Sequence, residues 1–449
     1  MRLVLAFVIL TATLSAESYS QKPPEMNSAI QRMVSEVSAA NIQVTVEKLA
    51  GFGTRHTLSD TVSNERGIGA ARRWIKAEFE RFAAQSSGRM TVEFHVTMVP
   101  SSSRVPNPTK IVNVVATLHP DHRVVPERIL LVSGHYDSRA SNPMDSRSDA
   151  PGANDDGSGT AVVLELARVL SKVPVEATVV FAAFAGEEQG LLGSTAWAVK
   201  AAQRNLNIEG VLNNDIVGGI EGGDGSVEST YVRVFSEAYS PVDTGTTFRR
   251  RNSLGLENDG PSRSLARYIK ETNQQYSVKL GVHLIYRRDR FPRGGDHSPF
   301  HERGYAAVRF SVARENYDWQ HQNVRTESRR KFGDRVEFTN AEYCANVARV
   351  NLATLASLAL APAAPTDVNV LTAELGYGTD LRWKANKEPD LAGYYIRYRD
   401  TDKPEWEGRF FTADTTAHLA ISKDDYLFGI QAVDREGNAS LPVIPAPAR

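Results

Sequence analysis

The stretch 179–194, VVFAAFAGEEQGLLGS, carries an apolar run through Gly186 into two adjacent acids, Glu187 and Glu188. A continuous apolar run of this length fits a strand covered on both faces. Neighbouring carboxylates repel, and no basic residue adjoins them. In an open α/β sheet, ligands gather outside the carboxyl ends of the strands. A pair of acids at such an end calls for cations.

The segments on either side repeat the pattern. RILLVSGHYDS (128–138) is a second apolar run and ends in His135 and Asp137. GTAVVLELARVLSKV (159–173) has Val163, Leu166, Ala167 and Leu170 on one helical stripe. Between them, PGANDDGSGT (151–160) holds Asp155 and Asp156. LLGSTAWAVKAA (191–202) reads as a helix, and IEGVLNNDIVGG (208–219) as a third strand carrying Asp215. GYAAVRFSVA (304–313) reads as a fourth, preceded by Asp296 and His297 in PRGGDHSPFHERG. Strands alternating with helices predict a doubly wound α/β fold, its sheet mixed but mainly parallel, with helices on both faces. Upstream, 27–50 is expected to be one helix and 64–85 another, followed by strands at 91–99 and 111–118. The glycine-rich region 218–262 reads as an insertion or long loops, and a helix over 340–360 closes a domain spanning 27–360.

A proline-alanine linker, 361–367, follows. The texture of 365–445 then turns all-β, with Trp383, a strand at 394–398 and Tyr426 placed as in a fibronectin type III sandwich. At the other end, Arg2, the apolar run 3–14 and the small residues Ser15 and Ala16 read as a signal peptide over 1–20. The expected location is therefore secreted or periplasmic, with no membrane association after cleavage. The net charge of −1 offers no field for nucleic acid. Cys344 is the only cysteine, so no intrachain disulfide can form.

Imidazole and carboxylate at converging strand ends suit zinc. The motifs SGHYDS, GANDDGSG, GEEQGLLGS, NNDIVGG and GGDHSPF occur in the same order as in the two-zinc exopeptidases that include secreted bacterial leucyl aminopeptidases, and over about 110–320 the chain resembles that family. The resemblance implies two zinc ions and a peptide or protein substrate. It implies that Asp155 bridges the metals, that His135 and Asp215 complete one, and that Glu188 and His297 complete the other. Asp137 would steady the second ring nitrogen of His135. Asp156 matches the family position where an unusual cis peptide lies. Glu187 would be the general base acting on the water shared by the metals.

His321, in YDWQHQN, lies where family members carry a tyrosine- and histidine-containing loop near the site; it is kept outside the ligand set. His56 and His301 are read as structural. Arg287, Arg288, Arg290 and Arg293 form a basic loop, one of whose members could meet a substrate carboxylate. The activity implied is that of an aminopeptidase. Carboxypeptidases and glutaminyl cyclases share the fold and stay open as alternatives, as does a non-catalytic peptide-binding or receptor protein.

Overall fold

The computed structural model describes residues 25–122, 126–374 and 376–449. The expected signal segment lies outside them. Helices α1 (Ser28–Ser35), α2 (Ala39–Ala50) and α3 (Ile68–Ala83) precede strands β1 (Met90–Val99) and β2 (Thr109–Leu118). Then come β3 (Ile129–His135), α4 (Gly157–Leu170), β4 (Thr178–Phe184), α5 (Leu192–Gln203) and β5 (Ile208–Asn214). The next group is β6 (Tyr231–Ser236), α6 (Gly245–Ser253), α7 (Pro261–Gln275), β7 (Gly281–Ile285), α8 (Ser298–His301) and β8 (Ala307–Val312). A small hairpin, β9 (Arg325–Glu327) and β10 (Arg330–Phe332), leads to α9 (Ala341–Leu360).

One sheet of eight described strands runs in the order β1-β2-β4-β3-β5-β8-β6-β7. Its centre is parallel, through the pairs β3–β4, β3–β5 and β5–β8. Its margins include the antiparallel pairs β1–β2, β2–β4 and β6–β8. β3 and β4 are buried along their whole length, as their unbroken apolar runs predict. The chain moves from β3 to β4 on one side, then crosses to β5 on the other. This reversal opens a crevice at the carboxyl ends of β3 and β5. α4 packs against that centre with almost every residue buried. The approach is close because a Cβ on Gly134 would lie 2.6 Å from the Gly159 carbonyl carbon.

Two expectations need correction. The segment 27–50 is not one helix. It breaks before Ser38, whose hydroxyl caps α2 by accepting the Asn41 N–H, while its own N–H donates to Glu165 Oε1 at 2.6 Å. The region 218–262 is not a loop insertion, because it contributes β6 to the main sheet between β8 and β7. Arg233 disguises that strand in the sequence; in the fold its guanidinium pairs with Glu315 at 2.9 Å.

The C-terminal region forms β11 (Thr366–Leu371), β12 (Thr379–Lys384), β13 (Leu391–Asp400), β14 (Gly408–Thr412), β15 (Thr416–Leu419), β16 (Tyr426–Asp434) and β17 (Ala446–Ala448). They make two sheets, β15-β12-β11-β17 and β14-β13-β16. Trp383, Tyr394, Ile396, Phe428 and Ile430 fill the space between them. The unit is docked against the α/β part. Asp259 lies between two buried arginines, Arg267 at 2.5 Å and Arg399 at 2.6 Å. Glu271 pairs with Arg397, and the Tyr268 hydroxyl donates to the Ala439 carbonyl. The connection is also packed, for Ala361 is buried and its carbonyl accepts from Arg128.

Candidate active site

Four backbone segments meet at the crevice. β3 ends in His135, and Asp137 follows it. The loop before α4 supplies Asp155 and Asp156, joined by a cis peptide bond. Gly152 turns that loop with φ +51°, a conformation that suits glycine. Glu187 and Glu188 follow β4, and Asp215 follows β5.

Asp156 fastens three of these segments together. Its carboxylate caps α4 at the Gly159 N–H and accepts the His135 N–H at 3.0 Å and the Ile216 N–H at 3.3 Å. Asp137 ties β3 to β4, because one carboxylate oxygen accepts the Glu187 N–H and the other the Glu188 N–H. The second oxygen also accepts the Thr57 hydroxyl at 2.8 Å. The expected contact of Asp137 with the His135 ring is present in altered form. Nδ1 lies 3.1 Å from the Asp137 main-chain carbonyl and 3.5 Å from its carboxylate.

Two sets of donor atoms result. His135, Glu187 and Asp215 bring ligand atoms within 4.8 Å of one another, and so do Asp155, Glu188 and His321. Asp155 faces both imidazoles. Its Oδ1 is 3.1 Å from His135 Nε2, and its Oδ2 is 2.9 Å from His321 Nε2. His321 Nε2 is also 3.0 Å from Glu188 Oε1.

His297, expected among the ligands, joins neither of these two sets. Its Nε2 is 3.0 Å from the Arg288 carbonyl and 3.9 Å from Asp289. The residue stands at the head of α8, and Asp289, Arg290 and Arg309 form an ion cluster on that side. His321 instead stands beside Asp155 and Glu188. It is carried back over the crevice by the segment after β8 with φ +55°. The tyrosine- and histidine-containing loop was the signal for it. Asp296 is buried beside the site, close to the Ser194 hydroxyl.

Further residues hold the site and had no signature in the sequence. Asp334 accepts the Asp155 N–H at 2.6 Å and the Asn154 N–H at 2.9 Å. Gln320 donates to Asp155 Oδ2 at 3.1 Å. Arg55, fully buried, donates to the carbonyls of Tyr136, Pro151 and Gly152. Arg309 reaches Asp215 Oδ1 at 2.8 Å. Three of the four arginines in the basic loop have polar partners: Arg290 meets Asp289 and Glu315, Arg288 meets Glu302, and Arg293 donates to Gln320. His56 and His301, read as structural, place Nε2 on the carbonyls of Pro143 and Tyr239.

The charge balance fits a dication. Burial pushes the Glu187 carboxyl well above its ordinary range, and neighbouring Asp215 and Glu188 add to it. Burial likewise raises Asp215, against the pull of Arg309. Glu188 Oε1 is buried and makes no aligned hydrogen bond, although His321 Nε2 is near. Ligands at zinc distances in a tetrahedron stand about 3.3 Å apart, so these close nitrogen–oxygen approaches suit donors converging on a shared ion.

A model of Peptidase family M28 matches residues 113–329. A probable zinc metalloprotease of Leptosphaeria maculans is 43% identical over 94% of this chain and 98% of its own length. Another from Pyrenophora teres f. teres is 42% identical over 95% of this chain and 88% of its own. Among solved structures, LapB of Legionella pneumophila has a TM-score of 0.52 at 21% identity, covering 75% of this chain and 77% of that one. BSAP, a zinc aminopeptidase from Bacillus subtilis, has a TM-score of 0.51 at 17% identity, covering 71% and 95%. At these identities the two structures speak for the fold.

Proposed function

This chain belongs to peptidase family M28, and from that premise we propose that it is a two-zinc exopeptidase removing residues from the amino end of peptides. The observation that carries the reading is the pair of donor sets, His135–Glu187–Asp215 and Asp155–Glu188–His321, with Asp155 between the imidazoles. In this reading His135 and Asp215 would hold one ion, Glu188 and His321 the other, and Asp155 would contribute to both. Zinc bound there supplies Lewis acidity, polarising a carbonyl oxygen and making water more acidic.

The remaining chemistry belongs to the chain. Glu187 and Glu188 leave the same strand end in different directions, so one serves as a ligand and the other is left for proton transfer. Glu187 takes a proton from the attacking water and returns it to the leaving amine nitrogen. Its burial beside Asp215 and Glu188 supports this role, since both raise the proton affinity of its carboxylate. Asp137, bonded to the Glu187 and Glu188 amides, keeps both side chains in register with His135.

Two things favour the amino end: the order of the sequence motifs, and the likeness in fold to the zinc aminopeptidase of Bacillus subtilis. The same reading makes residues 1–20 an export signal, the mature protein secreted or periplasmic, and the C-terminal sandwich a fibronectin type III-like packing partner. No described helix is long and apolar enough to cross a membrane. The test uses metal-quantified protein with aminoacyl chromogenic amides and with the same peptides blocked at the amino end. Cleavage of free-amine substrates alone supports an aminopeptidase. Release from the opposite end makes it a carboxypeptidase, and cyclisation of N-terminal glutamine without hydrolysis makes it a cyclase.

A further inference from the structure

A cavity of about 540 Å³ lies beside the catalytic crevice, between the 57–61 loop, the start of α3 and the start of β2. It is separate from both donor sets. Its walls include Leu58, Ile68, Pro108, Ile111 and Val112, so most of it is apolar. Two cations, Arg72 and Lys110, enter the lining, and no aspartate or glutamate does. Arg72 is half-buried, yet it makes no hydrogen bond or ion pair among the described residues. Its neighbour Arg73, by contrast, spends its guanidinium on the carbonyls of Thr61, Val62 and Ser63. An apolar pocket with a few convergent polar groups is the usual form of a small-ligand site.

The cavity reaches the catalytic residues through one side chain. Thr57 lines it and donates to Asp137, and Asp137 in turn accepts the Glu187 N–H. Ala185, two residues before Glu187, and Tyr136, next to His135, close the wall on that side. The loop that brings Pro106, Asn107 and Pro108 to the cavity also carries Arg104, whose guanidinium donates to the Glu188 carbonyl at 2.8 Å. Arg104 beside Glu188 and Arg72 in the lining therefore place positive charge both at the crevice and in the cavity.

We propose that this cavity receives the far end of a short peptide substrate, with the apolar wall around its last side chain and Arg72 against its free carboxylate. The proposal rests on the peptidase reading and narrows the substrate class to short peptides with a free carboxyl end and an apolar last residue. A guanidinium–carboxylate pair in a half-buried setting adds a charge-assisted hydrogen bond that an amide cannot replace.

The test compares a free tripeptide ending in leucine with its C-terminal amide. The free acid should be hydrolysed with at least about tenfold higher kcat/KM. Arg72→Met should bring the ratio of acid to amide near one, and Arg72→Lys should restore part of it. Equal rates for the two substrates in the unaltered enzyme, or an unchanged ratio in Arg72→Met, overturn the proposal. Calorimetry with N-acetyl-leucyl-leucine and its amide on the unaltered holoenzyme decides the matter if the variant fails to fold. Tighter binding of the acid supports the proposal, and equal binding overturns it. If neither tripeptide is hydrolysed, the peptidase reading fails, and the calorimetric comparison still decides whether the cavity takes a carboxylate.

Discussion

Asp334 accepts the main-chain N–H of Asp155 at 2.6 Å across 179 positions of sequence. The same carboxylate takes the Asn154 N–H, and the Asp334 carbonyl takes that of Ala153. Burial pushes the Asp334 carboxyl up to about 7, against the pull of these amides. Asp334→Ala would leave buried N–H groups without partners, at about 1–3 kcal/mol each. The expected outcome is lower stability together with metal affinity weakened about 10–100-fold, the usual effect of losing a group that orients a ligand. Competition with a chelator checks it, and unchanged affinity would assign Asp334 to stability alone.

Glu187 lies within reach of the first donor set and is also the proposed base. Glu187→Gln should keep its full zinc content and lose about 10²–10⁴ in kcat. Elemental analysis beside a turnover assay separates the two roles. A variant that loses an equivalent of metal would make Glu187 a ligand instead.

His321 and His297 make opposite predictions. His321→Ala should weaken or remove one metal equivalent and most of the activity. His297→Ala should keep both equivalents and lower stability by about 1–3 kcal/mol, because the Arg288 carbonyl loses its buried partner. Metal analysis of the pair gives the answer, and loss of metal in the His297 variant alone would make His297 the ligand after all.

Asp259 holds the two regions of the chain together. Arg267 and Arg399 are both buried against it. Asp259→Ala leaves two guanidinium groups without a counter-charge and should cost about 3–5 kcal/mol. Thermal unfolding should show the drop. A Tm equal to that of the parent would mean that water reaches the seam.

Glu176 sets a pH dependence at the same seam. Burial, with Asp390 and Asp434 adding, pushes its carboxyl to about 7 against the pull of Arg128. An acid with a raised folded pKa binds its proton more tightly in the folded state. Its contribution is therefore present at low pH and is lost as pH rises through about 7. Denaturant titrations from about pH 5 to 8 should show falling stability, and Glu176→Gln should flatten the slope. Parallel curves for the two proteins would rule this group out.

Periodicity made the central strands and α4 legible, since burial on both faces demands unbroken apolar runs and a helix against a sheet demands a stripe. The same reasoning passed over β6, where Arg233 interrupts the run and finds its partner, Glu315, only in the folded chain. It also merged α1 with α2, because the break depends on Glu165 of α4 accepting the Ser38 N–H. His135, Asp155, Glu187, Glu188 and Asp215 stood out because each sits at, or in a loop beside, a recognisable strand end. His321 lies in an irregular segment whose path no local pattern dictates.

The amino-acid order by itself determined the α/β layering, the all-β end region and the strand ends at which the acids gather, because those depend on spacing along a few residues. Only the tertiary structure brought His321 rather than His297 beside Asp155 and Glu188, and found Asp334 behind Asp155. Those outcomes turn on where a long irregular segment returns after β8, and its course is set by packing against residues more than a hundred positions away.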